Sequence, residues 1–319
     1  MRDSMASKTD DAGPEAFAAE LGRRLVAGDR GALARALSLV DRGAAEAKSV
    51  LRAVAPSLGR ASVFGFTGAP GAGKSTLVSA FAAELRRRER TVGVVAVDPS
   101  SPISGGAILG DRIRMAAHAE DPGVFVRSLA SRGHLGGLSA SAVRIVDLMD
   151  AAGFARILVE TVGAGQSEVE IAGLADVRIV VLAPGLGDEI QAIKAGILEI
   201  ADILVVNKAD HPAADVTVRQ LAAMTQLGRT KPPVLKTSAV TGEGVGALVD
   251  AAEEAASRST RKGPEARARL AIAALAAQTL RARLADEPNM RALARRVAEG
   301  TLDPAEAARE LLSAPADRR

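Results

Sequence analysis

The sequence predicts an α/β protein with a doubly wound, mainly parallel sheet, preceded and followed by helical segments. Two observations predict this fold. Seven short runs rich in β-branched residues alternate with segments of helical period between residues 61 and 257. These runs are apolar at successive positions, which is typical of parallel strands buried between two layers of helices.

The predicted strands, in chain order, are "SVFGFT", "TVGVVAVD", "VFVRSL", "ARILVE", "VRIVVLA", "ILVVNK" and "PPVLKTS". In a doubly wound sheet the ligand lies beyond the carboxyl ends of the strands. The loops that follow these runs are therefore the places to look for chemistry.

The domain boundaries are predicted from changes in periodicity. Residues 1–13 are polar and are expected to form a disordered tail. Residues 14–60 show helical spacing, interrupted at "GDRG", and are expected to form a small helical domain. Residues 61–257 form the α/β domain. Residues 258–319 begin with "RSTRKGPEAR", interpreted as a charged linker, and continue as two or three helices.

Composition excludes several classes of protein. The net charge is +3 and the arginines are spread along the helices, so no nucleic-acid partner is expected. There is no cysteine, and His118, His134 and His211 are scattered, which argues against a thiolate or histidine metal site. No apolar run reaches the ~20 residues of a membrane span, and the N-terminus lacks an apolar signal core. A cytoplasmic protein without a membrane partner is expected.

The stretch "GAPGAGKST" follows the first strand and precedes a helix. Gly68, Gly73, Lys74 and Ser75 fit the pattern G-x-x-x-x-G-K-[ST], in which backbone N–H groups face phosphate oxygens. Lys74 is expected to neutralise the β- and γ-phosphates and the Ser75 hydroxyl to reach Mg²⁺. The predicted phosphate-binding residues are Gly68, Ala69, Pro70, Gly71, Ala72, Gly73, Lys74, Ser75 and Thr76.

The loop "NKAD" predicts which base is bound. Asn207, Lys208 and Asp210 form N-K-x-D at a strand end, where a carboxylate can accept hydrogen bonds from N1–H and N2–H₂ of guanine. Adenine lacks both donors, so the loss of two charge-assisted bonds predicts on the order of 10²–10⁴-fold discrimination. The Lys208 stem can cover the base, and Ser238 and Ala239 follow one strand later, with the Ala239 N–H placed for guanine O6. GTP or GDP is the predicted ligand.

Acidic residues at other strand ends are candidates for the metal site. Asp98 ends "VGVVAVD", and Glu160 opens "ETVG" and is expected to hold a metal-bound water, while the Gly163 N–H approaches the γ-phosphate. Asp111 lies in the glycine-rich stretch between the second and third strands. Together with Ser75, these three carboxylates are the predicted Mg²⁺-linked residues.

Hydrolysis is predicted to be slow without a partner. The position after Gly163, where a glutamine would orient the attacking water, is Ala164, and Gln166 comes two residues later. The stretch "PGLGDEIQAIKAG" contains glycines that permit movement. Its Gln191 and Lys194 share one helical face and are the predicted catalytic residues.

These motifs resemble the MeaB/ArgK family of P-loop GTPases, whose human counterpart is the methylmalonic aciduria type A protein. The resemblance rests on "GAPGAGKST", "VAVDPSSPISGGAILGDRIRM", "RGHLGGLS", "ETVGAGQSE", "PGLGDEIQAIKAGILEIAD" and "NKAD". It covers residues 20–255 closely, and "LDPAEAARELL" is similar to the family's ending.

The resemblance implies a GTPase chaperone of an adenosylcobalamin-dependent acyl-CoA mutase, chiefly methylmalonyl-CoA mutase. It implies a homodimer whose C-terminal helices form the dimerisation arm. It also implies that Lys194 promotes hydrolysis and that the 184–194 segment reports nucleotide state. Ile103 stands where the family usually has phenylalanine, and the alanine-rich arm has no aromatic residue.

Three alternatives stay open at the level of sequence. The first is an ATP-dependent small-molecule kinase or an amino-acid transport ATPase, against which N-K-x-D argues. The second is a nickel-delivery GTPase, which would need cysteine or histidine clusters. The third is a binding module that holds GTP without turnover.

Overall fold

The computed structural model describes residues 14–98, 118, 120–130, 140–161, 173–185, 200–227, 230–259, 263–285 and 289–313. Its helices are α1 (Pro14–Val26), α2 (Arg30–Arg42), α3 (Glu46–Val54), α4 (Lys74–Arg87), α5 (Ala140–Ala151), α6 (Ala214–Leu227), α7 (Val245–Arg258), α8 (Pro264–Ala285), α9 (Met290–Ala298) and α10 (Pro304–Ser313). Its strands are β1 (Ser62–Thr67), β2 (Val92–Asp98), β3 (Val124–Ala130), β4 (Arg156–Thr161), β5 (Val177–Leu182), β6 (Ile203–Val206) and β7 (Val234–Lys236).

The seven strands form one sheet in the order β3-β2-β4-β1-β5-β6-β7, and every pairing between them is parallel. The predicted fold class is therefore confirmed. Strand β1 lies between β4 and β5, where the winding of the sheet reverses, and its carboxyl end leads directly into α4. Ligands of doubly wound sheets bind at such a reversal.

Helices cover both faces of the sheet because successive strand residues point to opposite sides. Val63 of β1 packs in a core with α1, α2, α3 and α5, whereas its neighbour Phe64 packs in a second core with α4 and α7. Helix α4 is fixed on β1 by Phe81, whose ring meets that of Phe66 edge to face at a centroid distance of 5.3 Å. A third, smaller cluster places α6 over β5 and β6.

The N-terminal helices begin and end where the local sequence requires. The interruption at "GDRG" separates α1 from α2, and the Asp29 carboxylate caps α2 by accepting a hydrogen bond from Ala32 N at 3.0 Å. Helices α1 and α3 approach closely at Gly22, where an added Cβ would lie 2.8 Å from Ala53 Cβ. These helices share one core with the sheet; the boundary of a separate helical domain at residue 60 stays a prediction.

A buried ion cluster attaches the start of α8 to α5. Arg267 Nε donates to Asp147 Oδ1 and an Arg267 terminal nitrogen donates to Asp150 Oδ2, both at 2.6 Å. The Asp150 side chain is fully buried and also accepts from the backbone N–H groups of residues 59, 60 and 61, at 2.7, 2.9 and 2.9 Å. The interpretation of "RSTRKGPEAR" as a linker throughout is thus wrong for its last four residues, which are helical and end in a buried arginine.

The chain divides into two compact units, one ending at Ala271 and the other beginning at Ile272. In the second unit α9 packs on α10, and each helix has one buried side chain, Leu293 in α9 and Leu311 in α10. Several large apolar side chains of this unit are exposed: Ile272, Leu280, Met290 and Leu312.

No helix within the described ranges is long and apolar enough to cross a membrane.

Candidate nucleotide-binding site

The loop after β1 has a backbone that only glycine permits at two positions. Gly68 has φ +138°, and a Cβ there would lie 2.0 Å from the carbonyl oxygen of Val181 on β5. Gly73 has φ +84°, and a Cβ there would lie 2.5 Å from the side-chain nitrogen of Asn207. The glycines of the motif therefore let the loop fit between two neighbouring strand ends.

The loop ends in the N-terminus of α4, with Gly73 as the residue before the helix. The first N–H groups of a helix have no intrahelical partner and carry partial positive charge, so they form an anion site. Lys74 is buried, and its ammonium donates to the carbonyls of Gly68 at 2.7 Å and Ala69 at 2.9 Å. The Lys74 ammonium therefore lies inside the phosphate loop, which the positive end of the α4 dipole also faces.

Ser75, the next residue of α4, meets Glu160 of β4. Its hydroxyl donates to Glu160 Oε1 at 2.5 Å, and Glu160 is only 1 % exposed. Glu160 stands opposite Phe66 in the β1–β4 register, so the carboxylate lies beside the phosphate loop. A hydroxyl and a carboxylate are oxygen ligands of the kind that Mg²⁺ prefers, and the residues present fit that ion.

Two hydroxyls that the sequence analysis did not select lie at the same edge. Thr67 and Thr161 are the last residues of β1 and β4, one position beyond the Phe66–Glu160 pair. Their hydroxyl oxygens are buried and have no hydrogen-bond partner in the described part of the chain. Buried hydroxyls are normally satisfied, so these two are candidates to bind water or ligand oxygens. The sequence signal that could have identified them is a hydroxyl residue at the carboxyl end of a buried strand.

Asn207 connects the base loop to the phosphate loop. Its side-chain nitrogen donates to Ala72 O at 2.9 Å, and its side-chain oxygen accepts from Ala239 N at 3.1 Å. The Thr237 hydroxyl also donates to this oxygen at 3.3 Å. One buried amide therefore joins the loops after β1, β6 and β7.

The remaining base-loop residues surround this junction. Lys208 adopts a left-handed backbone (φ +59°), and both Lys208 and Asp210 are exposed. Ser238 Oγ donates to Asp210 Oδ1 at 3.4 Å, a long contact between the two loops. The 207–210 and 237–239 loops are thus adjacent, as recognition of one base edge requires.

An ion pair joins two elements that flank the base loop. Lys236 Nζ donates to Asp215 Oδ1 at 2.8 Å and so ties the end of β7 to the first turn of α6. This hydrogen bond lowers the pKa of the Asp215 carboxyl and raises the pKa of the Lys236 ammonium.

The structure brings together the predicted phosphate, base and Ser75–Glu160 positions, but four predicted residues lie outside the described ranges: Asp111, Gly163, Gln191 and Lys194. Asp98 ends β2 at the same edge of the sheet; only its backbone is described. Residues 1–13 and Ile103 are also outside these ranges. Within the described residues no cluster of three or more acidic or histidine side chains forms a metal cage.

The parallel sheet, the glycine-rich loop and the N-K-x-D junction define a P-loop nucleotide-binding protein of the GTPase class. Comparison with known proteins gives the particular family. The chain belongs to the MeaB family, whose model, described as methylmalonyl Co-A mutase-associated GTPase MeaB, matches residues 33–290.

Individual relatives agree with this assignment. A Pyrococcus horikoshii protein with a provisional GTPase name is 49% identical over 242 residues, which is 74% of this chain and 76% of the relative. The GTPase ArgK of Escherichia coli is 46% identical over 200 residues, 61% of this chain and 60% of ArgK. A mouse protein named methylmalonic aciduria type A homolog is 38% identical over 198 residues, 60% of this chain and 48% of its own.

Solved structures agree on the fold. A crystal structure of a LAO/AO transport system kinase has a TM-score of 0.72 and 31% identity, and the match covers 97% of this chain and 98% of that one. A Helicobacter pylori HypB in complex with nickel has a TM-score of 0.50 at 19% identity over 66% of this chain and 93% of its own, and shows similarity of fold alone.

Proposed function

We propose that this MeaB-family GTPase binds Mg²⁺ and GTP, hydrolyses GTP slowly to GDP and phosphate, and acts as a chaperone that gates adenosylcobalamin loading of an acyl-CoA mutase. The observation that carries the nucleotide part is the Asn207 junction. It holds the phosphate loop and the base loop at hydrogen-bond distance from one amide. A nucleoside triphosphate is the ligand that occupies both loops at once.

Each residue around the junction has a defined task in binding. Backbone N–H groups of residues 71–75 and the α4 N-terminus bind phosphate oxygens, and the Lys74 ammonium exchanges its carbonyl partners for them. Asp210 accepts two hydrogen bonds from guanine. The Ala239 N–H exchanges its present acceptor, Asn207 Oδ1, for guanine O6, while Asn207 keeps its bonds to Ala72 and Thr237. The Lys208 stem lies over the base plane.

In hydrolysis, a water attacks the γ-phosphate and GDP leaves with inorganic phosphate. Ser75 and Glu160, with Asp98 and Asp111, would hold Mg²⁺, which when bound offsets charge on the β- and γ-phosphates. The Gly163 N–H binds the γ-phosphate. Gln191 and Lys194 are proposed to orient the water and stabilise the developing charge when the mutase orders the 184–194 segment.

The name of the family model and the mouse methylmalonic aciduria relative support a cobalamin-dependent mutase as partner. We place the protein in the cytoplasm. We also propose a homodimer formed by the C-terminal helices. The exposed Ile272, Leu280, Met290 and Leu312 support this, because large apolar side chains grouped in one unit favour burial against a second chain.

Base recognition is tested by nucleotide competition. Wild-type protein is expected to prefer GTP over ATP by at least about 100-fold, from two charge-assisted hydrogen bonds. Asp210→Asn should weaken GTP and gain XTP, because an amide donates to the C2 oxygen of xanthine where the carboxylate accepted from an amino group. A preference for ATP would instead support the transport-kinase activity named for the 31% identical structure.

The chaperone role is tested by titration with purified methylmalonyl-CoA mutase. Single-turnover hydrolysis should rise with mutase concentration in the wild type and much less in Lys194→Ala, while both bind GTP equally well. Equal turnover across the titration would exclude this partner. Absence of turnover with and without mutase would indicate a module that only holds GTP.

A further inference from the structure

Two threonines end the neighbouring strands β1 and β4 on the face of the sheet that α5 covers. Successive strand residues point to opposite faces, so Thr67 shares a face with Val63, and Thr161 shares a face with Val159. Both valines belong to the core that includes α5. The threonines stand one position beyond the last pair of the β1–β4 register. Their side chains are therefore neighbours at the carboxyl edge of the sheet, on strands about 4.8 Å apart.

The other members of this row are apolar. Val180 of β5 is the second neighbour of Thr67, and Val97 of β2 is the second neighbour of Thr161. Valine is also β-branched and has nearly the shape of threonine. Packing alone therefore gives no reason for a hydroxyl at either position.

Both side chains are buried, and neither hydroxyl has a partner among the residues that the structure describes. Thr67 is 2 % exposed and Thr161 is 1 % exposed. The two other buried threonines of the described ranges are satisfied. Thr217 donates to a backbone carbonyl at 3.0 Å, and Thr237 donates to a side-chain oxygen at 3.3 Å. Because buried hydroxyls are normally hydrogen-bonded, the two exceptions indicate a partner from outside the chain.

These hydroxyls lie next to both charged parts of the proposed site. Thr67 directly precedes Gly68, whose carbonyl accepts from the Lys74 ammonium at 2.7 Å. Thr161 directly follows Glu160, whose carboxylate accepts from a hydroxyl of α4 at 2.5 Å. Adjacent Cα atoms are 3.8 Å apart, so each threonine is one residue from a proposed ligand-binding group. Glu160 faces α4 and the threonines face the opposite side, so together they border the sheet edge from both sides.

We propose that the Thr67 and Thr161 hydroxyls bind an oxygen atom that arrives with the Mg²⁺–GTP complex, either on the terminal phosphate or on a Mg²⁺-bound water. This rests on the proposed function. A hydroxyl can donate to a phosphate oxygen and can accept from a water that an ion holds. Ser75 and Glu160 reach the ligand from the α4 side of the sheet, and the two threonines reach it from the α5 side.

The test measures the Kd of a fluorescent, nonhydrolysable GTP analogue and of fluorescent GDP for full-length protein, in excess Mg²⁺ and in EDTA. Thr67→Val and Thr161→Val are each expected to raise the Kd of the GTP analogue in Mg²⁺. A charged phosphate oxygen as partner predicts about a 10- to 100-fold increase, and a bound water predicts about 2- to 12-fold. Thr67→Ser and Thr161→Ser keep the hydroxyl and should restore most of the affinity.

The four measurements identify the oxygen. A terminal phosphate oxygen confines the loss to the GTP analogue and leaves the Kd of GDP unchanged. A Mg²⁺-bound water gives the loss with both nucleotides in Mg²⁺ and with neither in EDTA. A loss of equal size in all four measurements would show that the hydroxyls only shape the phosphate loop, and would overturn the proposal. Kd values that stay unchanged throughout would overturn it as well.

Thr217→Val is the matched control. It removes a buried threonine hydroxyl that has a partner, so the urea midpoint of unfolding should fall while every Kd stays unchanged. Thr67→Val and Thr161→Val lose no described hydrogen bond, so their midpoints without nucleotide should not fall. A fall as large as that of Thr217→Val would place their partner inside the protein and overturn the proposal. A wild type that binds neither nucleotide would refute the proposed function itself, which is a separate result.

Discussion

Replacing Arg267 by methionine tests the buried cluster that attaches α8 to α5. Methionine keeps an unbranched apolar stem, so the substitution removes the guanidinium with little loss of packing. It leaves Asp147 without its Nε–H donor and Asp150 without one of its four hydrogen bonds described above. The perturbation is therefore the removal of one buried cation between two carboxylates.

The expected loss follows from what each carboxylate keeps. Removing one partner of a buried ion pair costs about 3–5 kcal/mol. Asp150 retains three backbone N–H donors, so the lower end, about 3 kcal/mol, is expected. Burial already raises the pKa of the Asp147 carboxyl, even though Arg267 opposes this effect. Without the arginine the charged form of Asp147 is disfavoured further.

The assay is equilibrium unfolding in urea followed by far-ultraviolet circular dichroism, because the chain has no tryptophan or tyrosine for intrinsic fluorescence. Adding Asp147→Asn to Arg267→Met should recover about 1–2 kcal/mol by removing the unpaired charge. A carboxyl with a raised pKa takes up a proton on folding, so its penalty grows as pH rises through that pKa. The single variant should thus be least destabilised at acid pH. A loss under about 1 kcal/mol would refute a cluster with buried-pair energetics, and failure of the double variant to improve would refute the assigned role of Asp147.

Three further substitutions give independent predictions. Gly68→Ala should abolish nucleotide binding and lower the urea midpoint, since its Cβ would lie 2.0 Å from Val181 O. Glu89→Gly should stabilise the protein by about 1 kcal/mol, because Glu89, two residues past the end of α4, has φ +60°, a left-handed conformation that disfavours side chains. Asp29→Asn should flatten the loss of stability in acid. Hydrogen bonds from Ala32 N and then Arg24 lower the pKa of Asp29, so its contribution is present above the ordinary value of 3.8 and is lost as pH falls through the lowered pKa.

Each of these has a matched control. Gly71→Ala places its Cβ in open space at φ +78° and should cost only about 1–2 kcal/mol, so equal damage from both glycine variants would contradict the packing argument. Glu89→Ala should give no gain, since alanine meets the same backbone restriction. Asn keeps the cap on α2 but removes the charge, so in thermal melts Asp29→Asn should be slightly less stable than the wild type at neutral pH and should match it in acid.

The sequence predicted the features that depend on neighbouring residues. The seven strands follow from runs of apolar β-branched residues, and the phosphate loop follows from glycine and lysine spacing. Both signals are local. Strand order is not local, since β1 pairs with β4 and β5 and not with β2, and no periodicity records that choice.

The features that the sequence does not predict depend on contacts between segments far apart in the chain. Asn207 was selected as part of N-K-x-D, but its bond to Ala72 joins residues 135 positions apart. Arg267 belongs to a charged stretch that the sequence predicts to be an exposed linker. Its burial depends on Asp147 and Asp150, which lie on another helix. Thr67 is predicted only as a strand residue and Thr161 only as part of the "ETVG" loop, because the edge that they share exists only after the strands pair.

The three-way contact made by Asn207 has a consequence for how ligand fragments behave. Under the proposed function, guanosine alone and pyrophosphate alone would each bind one of two loops that Asn207 already holds together. Joining the fragments covalently adds no further ordering of the protein, so the intact nucleotide gains the product of two weak affinities multiplied by an effective concentration. Removing the Asn207 side-chain amide should uncouple the phosphate loop from the base loop. The intact nucleotide should then bind hardly better than whichever of its two fragments binds more tightly.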